Sequence, residues 1–191
     1  MSKILVDTID TRSGTTNLTI GSTNSSQITL KSGATLTNFP DNTPNFDVVK
    51  TSDQTVTSAT WTKCTFNTER IDSDGAFDLA NSKFVVPSGK AGKYFFSAIV
   101  TTGSQTSGNY YDGYAGIGVN GTRIRDNLGF TANASAPYPS YSQAVCTIIL
   151  DLSVGDYVEV FGYSQISSGT PALRGSANGQ TCFSGYRIIG A

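Results

Sequence analysis

No stretch of about eleven residues in this chain sets apolar side chains at i, i+3, i+4 and i+7 without an intervening Gly or Pro, so no amphipathic helix is available to cover a core. Short strand-like runs stand instead: Phe46 to Thr51, Lys63 to Phe66, Lys83 to Val86, Lys93 to Thr101, Ala115 to Arg125, Ala144 to Leu152, Tyr157 to Tyr163 and Phe183 to Ile189. Gly, Asp and Asn punctuate them. Strands so spaced predict an all-β fold, a sandwich or barrel. Inside the fifth run, Asn120-Gly121 lies between Val119 and Ile124. A two-residue type I′ turn needs positive φ at both central residues, so a tight hairpin is predicted here.

The 191 residues contain 13 Lys+Arg, 14 Asp+Glu and no His. Without His the chain lacks the usual general base at neutral pH, the Ser-His and Cys-His nucleophile pairs and the His-containing zinc sites. It is expected to be no enzyme, with no catalytic residue, cofactor or metal. Near-neutral charge provides no basic footprint, so nucleic acid is not an expected partner. The opening Met1-Ser2-Lys3-Ile4-Leu5-Val6-Asp7 has a three-residue apolar run, against about 20 residues for a membrane span. Assembly in the cytoplasm without membrane insertion is expected. Cys64, Cys146 and Cys182 form no C-x-x-C pair; buried free thiols are the plainer expectation, a disulfide the alternative.

Two regions differ in texture. Residues 1–35 place Ile4, Leu5, Val6, Ile9, Leu18 and Ile20 in short strings between polar turns. Too few apolar side chains are present to outweigh a backbone ordering cost of roughly 1 to 2 kcal/mol per residue. This arm therefore needs copies of itself or a host structure to pack on. Residues 36–45, with Pro40 and Pro44, read as a linker. Residues 46–191 form the head.

Several constellations invite chemical readings. Gly116-Ile117-Gly118-Val119-Asn120-Gly121 spells G-x-G-x-x-G, but no helix pattern follows to hold a pyrophosphate, and Asn120-Gly121 suits a hairpin better. Asp72, Asp74 and Asp78 cluster around Gly75 and offer oxygens for Ca²⁺, with an ordinary turn as the other reading. None of the 14 acids is singled out as half of a glycosidase pair. Two loops, Ser104 to Asp112 and Ala136 to Tyr141, mix Tyr with small polar residues. Tyr presents a flat apolar face and a hydroxyl at low entropy cost, so Tyr110, Tyr111, Asp112, Tyr138 and Tyr141 are candidate receptor-facing residues. Packing between subunits is the alternative for the same tyrosines.

Family resemblances sharpen this. Phe66, Asp72, Phe77, Phe84, Pro87 and Gly92-Lys93-Tyr94-Phe95-Phe96, followed by Val119-Asn120-Gly121, Leu152-x-x-Gly155-Asp156-x-Val158 and Phe183-Ser184-Gly185-Tyr186, resemble the aromatic signature of the globular heads of complement component 1q and the tumour necrosis factor superfamily. The stretch from Phe84 to Gly92 is two residues longer than that signature, and Ala98 stands where Phe or Tyr is usual. The resemblance implies a jelly-roll β-sandwich assembling as a homotrimer, with Phe66, Phe77, Phe84, Tyr94, Phe96, Phe183 and Tyr186 in the core or along the trimer axis. The 10% aromatic content accords with an interface that buries a surplus of rings.

The opening Ser2-Lys3-Ile4-Leu5-Val6-Asp7-Thr8-Ile9, with Leu18-Thr19-Ile20-Gly21, is similar to the start of virion fibre and appendage proteins of tailed phages, particularly those of cyanobacteria. It implies a structural virion protein with an anchoring arm and an outward head that attaches to host-surface glycan. The expected partners are itself, other virion proteins of tail, neck or capsid, and host-surface polysaccharide. One alternative is a capsid decoration or cement protein braced by its arm, which the short reach of 35 extended residues, on the order of 100 Å, favours. A secreted lectin-like or cytokine-like ligand is a second.

Overall fold

The structure, a computed structural model, describes Ser32 and residues 41–106, 109–132 and 139–189. The chain divides into two units, Met1–Phe39 and Pro40–Ala191, and every described strand lies in the second. The expected anchoring residues Ile4, Leu5, Val6, Ile9, Leu18 and Ile20 lie outside the described residues, as does Tyr138.

In chain order the strands are β1 (Asn45–Lys50), β2 (Gln54–Thr55), β3 (Thr62–Lys63), β4 (Thr68–Asp72), β5 (Phe77–Asp78), β6 (Lys83–Val85), β7 (Gly92–Ser104), β8 (Tyr110–Val119), β9 (Thr122–Thr131), β10 (Tyr141–Leu152), β11 (Tyr157–Ile166), β12 (Pro171–Leu173) and β13 (Thr181–Arg187). There is no helix among the described residues. One sheet is built on β7, with β10 along one edge and β12 and β13 along the other, continuing through β1 to β4. The second is built on β11, flanked by β8 and β9 on one side and by β6, β5 and β3 on the other.

The pairing is that of a jelly roll: β1 with β13, β6 with β11, β7 with β10 and β8 with β9, as if one long hairpin had been wrapped around a barrel. All these pairs are antiparallel, so successive residues face alternately in and out. Along β7 the inward set is Tyr94, Phe96, Ala98 and Val100, all fully buried. Across the gap β11 contributes Val158 and Val160, and β8 contributes Ala115 and Ile117.

The aromatic residues that carried the family resemblance converge between the sheets. Phe46 lies 5.1 Å from Phe84, 5.3 Å from Phe77 and 4.9 Å from Phe183, ring centre to ring centre. Phe96 touches Phe84 and Phe183, and Phe66 meets Phe77 and Phe183. Each such pair is worth about 0.5–1.5 kcal/mol beyond the area it buries. Tyr94 also stays in the core and donates its hydroxyl hydrogen to the Lys90 carbonyl. Tyr186 does not join them: on β13 it follows Gly185 and faces the opposite side of the sheet.

The Asn120-Gly121 hairpin forms as read, with φ of 51° and 80° joining β8 to β9. Asn120 also donates to Asp156 and accepts from the Tyr157 N–H, tying this turn to the turn before β11. Other boundaries differ from the sequence reading. The run at Lys63 shortens to Thr62–Lys63, because Thr65 N–H is taken by the Gln54 side chain. Four further strands were not read: β2, β4, β5 and β12. The sequence of β4, Thr-Glu-Arg-Ile-Asp, has no buried face, since an edge strand needs only its ladder partner β1. The three cysteines are free thiols, Cys64 and Cys146 buried and Cys182 half-buried.

Burial pushes the Cys64 thiol up to about 12 and the Tyr94 phenol likewise to about 12. The fold holds both protonated while the unfolded chain ionises them from their ordinary ranges, so their contribution is complete below about pH 9 and is lost as the pH climbs towards 12. Denaturant titrations at pH 9, 10 and 11 are expected to show stability falling. Cys64→Ala should flatten that fall by up to about 1.4 kcal/mol per pH unit.

Candidate functional site

Because both sheets alternate, the sandwich has two outer faces, and their chemistry differs. On the β7 sheet, Ile149 of β10 stands opposite Phe95, which stands opposite Tyr186 of β13; Val145 lies opposite Ile99, and Ile71 projects from β4. Ile149 is 60% exposed, Ile71 55%, Val145 46% and Tyr186 45%. The Phe95 and Tyr186 rings are 5.5 Å apart. Single exposed apolar side chains are ordinary, but a row across three neighbouring strands, with Ile71 beyond Asn45 and Asp47 of β1, is what an interaction surface looks like.

The outer face of the β11 sheet is aromatic and polar. Strand β11 turns Val158, Val160 and Ser164 inward and sends Tyr157, Phe161, Tyr163 and Gln165 outward. Tyr163 stands opposite Tyr114 of β8, and Gln165 opposite Asp112. The third ring is Trp61, brought in by the segment before β3. Ala59 N–H donates to the Ser164 carbonyl, Ile166 N–H donates to Ser58 Oγ, and Thr62 pairs with Gly162, so this irregular segment is fixed along the free edge of β11. The Trp61, Tyr114 and Tyr163 rings meet at 5.5–5.9 Å, and the Arg123 guanidinium carbon sits 3.8 Å from the centre of the Trp61 ring.

The two glycines of the G-x-G-x-x-G string are the floor of this cluster. A Cβ on Gly116 would come within 2.7 Å of Arg123 Cδ and 3.1 Å of Trp61, and one on Gly118 within 2.7 Å of Phe161. Only hydrogen fits where rings and guanidinium lie down on the sheet. At the rim Tyr163 donates its hydroxyl hydrogen to Gln165 Oε1 at 3.0 Å, Lys63 pairs with Glu159, and Arg123 pairs with Asp126 at 3.3 Å. Burial, then the nearby Asp112 carboxylate, raises the Tyr163 phenol above its ordinary range and keeps it a donor.

The five candidate receptor-facing residues do not form one cluster. Tyr110 is corrected outright: it is 0% exposed. Its hydroxyl bonds with Thr102 Oγ1 at 2.6 Å and Ser142 Oγ at 2.7 Å, and its ring stacks on Phe130 at 5.6 Å. The physical reason is that β8 already begins at Tyr110 and turns it between the sheets, where the missing side chain of Gly113 leaves room for the phenol. Tyr111 and Asp112 are half-buried, Asp112 beside Gln165 at the aromatic face. Tyr141 is exposed, but on β10 of the other sheet.

The aspartates read as a Ca²⁺ cluster are engaged separately. Asp72 accepts from the N–H groups of Ala76 and Phe77, Asp74 pairs with Lys90, and Asp78 accepts from Asn81. Among the described residues no group of three or more His, Cys, Asp or Glu is placed to hold a metal ion. Trp61, Tyr114, Tyr163 and Arg123 were not singled out in sequence. The alternation of Tyr157, Phe161 and Tyr163 with Val158, Val160 and Gly162 was the available signal for a two-faced strand; nothing local marks Trp61.

No protein-family model matches this chain, and no curated protein matches it. Among solved structures, the globular domain of zebrafish complement 1qA protein is similar, with a TM-score of 0.52 over 76% of this chain and 98% of that one at 14% identity. The shared property is the fold: an all-β jelly roll of the complement 1q and tumour necrosis factor type.

Tyr110→Phe leaves Thr102 and Ser142 without their shared hydroxyl in a buried setting. It is expected to destabilise the head by about 1–3 kcal/mol in urea titration, as a core change does, while its far-UV spectrum stays unaltered.

Proposed function

We propose that the chain is a non-enzymatic binding protein that assembles as a homotrimer through the outer face of its β7 sheet and serves as a virion appendage, with the head directed at the host surface. The observation that carries the reading is the apolar row of exposed Ile149, half-buried Phe95 and exposed Tyr186, with exposed Ile71 two strands beyond. Its side chains are two isoleucines and the packed Phe95–Tyr186 ring pair, and it is best covered by another protein surface. The number three follows the likeness to the complement 1q type of head, in which a ring of heterologous contacts closes on itself. With the β7 sheets turned to the axis, the aromatic faces of the β11 sheets look outward.

The placement on a virion draws on the likeness of the first forty residues to phage appendage proteins. Their apolar strings suit an arm that packs on other virion proteins of tail, neck or capsid after synthesis in the host cytoplasm. Three heads on one axis make a second and third contact with host polysaccharide intramolecular, which raises avidity 10²-fold or more, on the order expected for linked weak sites.

Sedimentation of the full-length chain is expected to give three chain masses, and the pair Ile149→Lys with Tyr186→Asp a folded single chain with the same far-UV spectrum. A monomeric parent overturns the assembly. Immunogold labelling of intact particles with antibody to residues 46–191 is expected to mark tail or neck. Gold spread over the capsid would make the protein a decoration protein, and absence from particles would overturn the virion placement.

A further inference from the structure

The outer face of the β11 sheet has a chemistry that the assembly face lacks. Its half-exposed apolar groups are mostly rings, Trp61, Tyr114, Tyr163 and Phe161, with Leu128 beside Tyr114, where the other sheet sets Ile149, Val145 and Ile71 around a single ring pair, Phe95 and Tyr186. The charges around the rings almost cancel: Arg123 is matched by Asp126 and Lys63 by Glu159, with Asp112 adding one carboxylate. The polar groups at the rim are of every hydrogen-bonding kind: Asp112 accepts, Arg123 donates, and Gln165 does both. Gly116 and Gly118 keep the strip beside the rings free of Cβ atoms.

We propose that this surface, with Trp61, Tyr114 and Tyr163 as its platform and Asp112, Gln165 and Arg123 as its rim, binds a neutral saccharide. A pyranose ring presents C–H groups on its faces and hydroxyls around its edge, each hydroxyl both donor and acceptor. The C–H faces lie on the tilted Tyr114 and Tyr163 rings and on the side of Trp61 away from Arg123, which are apolar with an electron-rich face, while the edge hydroxyls meet the mixed donors and acceptors of the rim. A polyanionic glycan is disfavoured, because the two cations are already paired and Asp112 would repel it. A protein partner would leave the paired charges and Gln165 to be desolvated for little apolar gain. This assignment rests on reading the head as a binding module, and it moves the contact from the tyrosine loops to the sheet face.

The test uses the only tryptophan in the chain. Because Trp61 is that tryptophan, emission of the full-length protein excited beyond the absorption of its nine tyrosines reports on the platform alone. Dextran, mannan, galactan, xylan and laminarin oligosaccharides are titrated, with polygalacturonate as the anionic comparison. The expected result is a saturable change in Trp61 emission and protection from acrylamide quenching by at least one neutral saccharide, with no response to polygalacturonate.

Tyr163→Ala and Tyr114→Ala are each expected to weaken that binding about tenfold or more, with the sedimentation mass unchanged. Silence of Trp61 towards all five neutral saccharides overturns the proposal, as does binding that both substitutions leave intact. If soluble protein blocks adsorption of particles while Trp61 stays silent, the platform falls and the receptor-binding role stands. If saccharide binds at Trp61 but the protein is absent from particles, the platform stands and the virion role falls.

Discussion

The stacking of Phe46 against rings from both sheets is the interaction on which the rest of the molecule depends. Phe46 belongs to the first long strand and Phe183 to the last, so their contact at 4.9 Å brings the two ends of the head together. Phe84 and Phe77 come from the opposite sheet and close on the same ring. The wrapped order of a jelly roll pairs strands far apart in the chain, and long loops must be closed before any ladder forms. A cluster of rings contributed by β1, β5, β6, β7 and β13 rewards those closures together, because each ring completes the packing of the others.

Once that interior is filled, the outer faces are released from packing duty, and the same alternation gives them different chemistry. The β7 sheet spends its outward positions on Ile and Val beside the Phe95–Tyr186 pair and on Thr and Ser between them, for instance Thr147, Ser97 and Ser184 in one row. The β11 sheet spends its outward positions on rings that lean on one another and on a guanidinium. Glycine in β8 serves that second face: at Gly116 and Gly118 the side chain is given up so that the neighbours from β9, β11 and the segment before β3 can lie flat.

Much of the fold was legible in the sequence, and the reasons are local. Phe84, Tyr94, Phe96 and Phe183 fall at alternating positions within strands, so their inward direction follows from period two once a strand is recognised, while Phe66 is buried from the irregular stretch between β3 and β4. Asn120-Gly121 names its own turn. The site was less legible because it is assembled by tertiary placement. Trp61 sits in an irregular segment whose position is set by bonds to Ser164 and Ile166, over a hundred residues away in chain order. Tyr110 misled for the complementary reason: Ser, Gly, Asn and Tyr read as a recognition loop, but a strand start at that residue turns the phenol into the buried layer between Thr102 and Ser142. Polar residues inside a sandwich end are invisible to hydrophobic patterning, and Thr101, Thr102, Ser104, Ser164 and Thr181 make such an end here.

The placement of β1 also decides how the head answers a mechanical load. Tension entering the unit from its N-terminal side reaches β1 first, and β1 is held on both sides, by six residue pairs with β13 and by its ladder with β4. The hydrogen bonds of an antiparallel pair run perpendicular to the strands. A pull along β1 therefore strains all of them at once in shear, where a pull across the strand would break them one after another as a zipper. A head tethered by the chain preceding β1 is gripped at a strand paired on both sides, and the aromatic stack that Phe46 anchors must be torn open before that strand can slide.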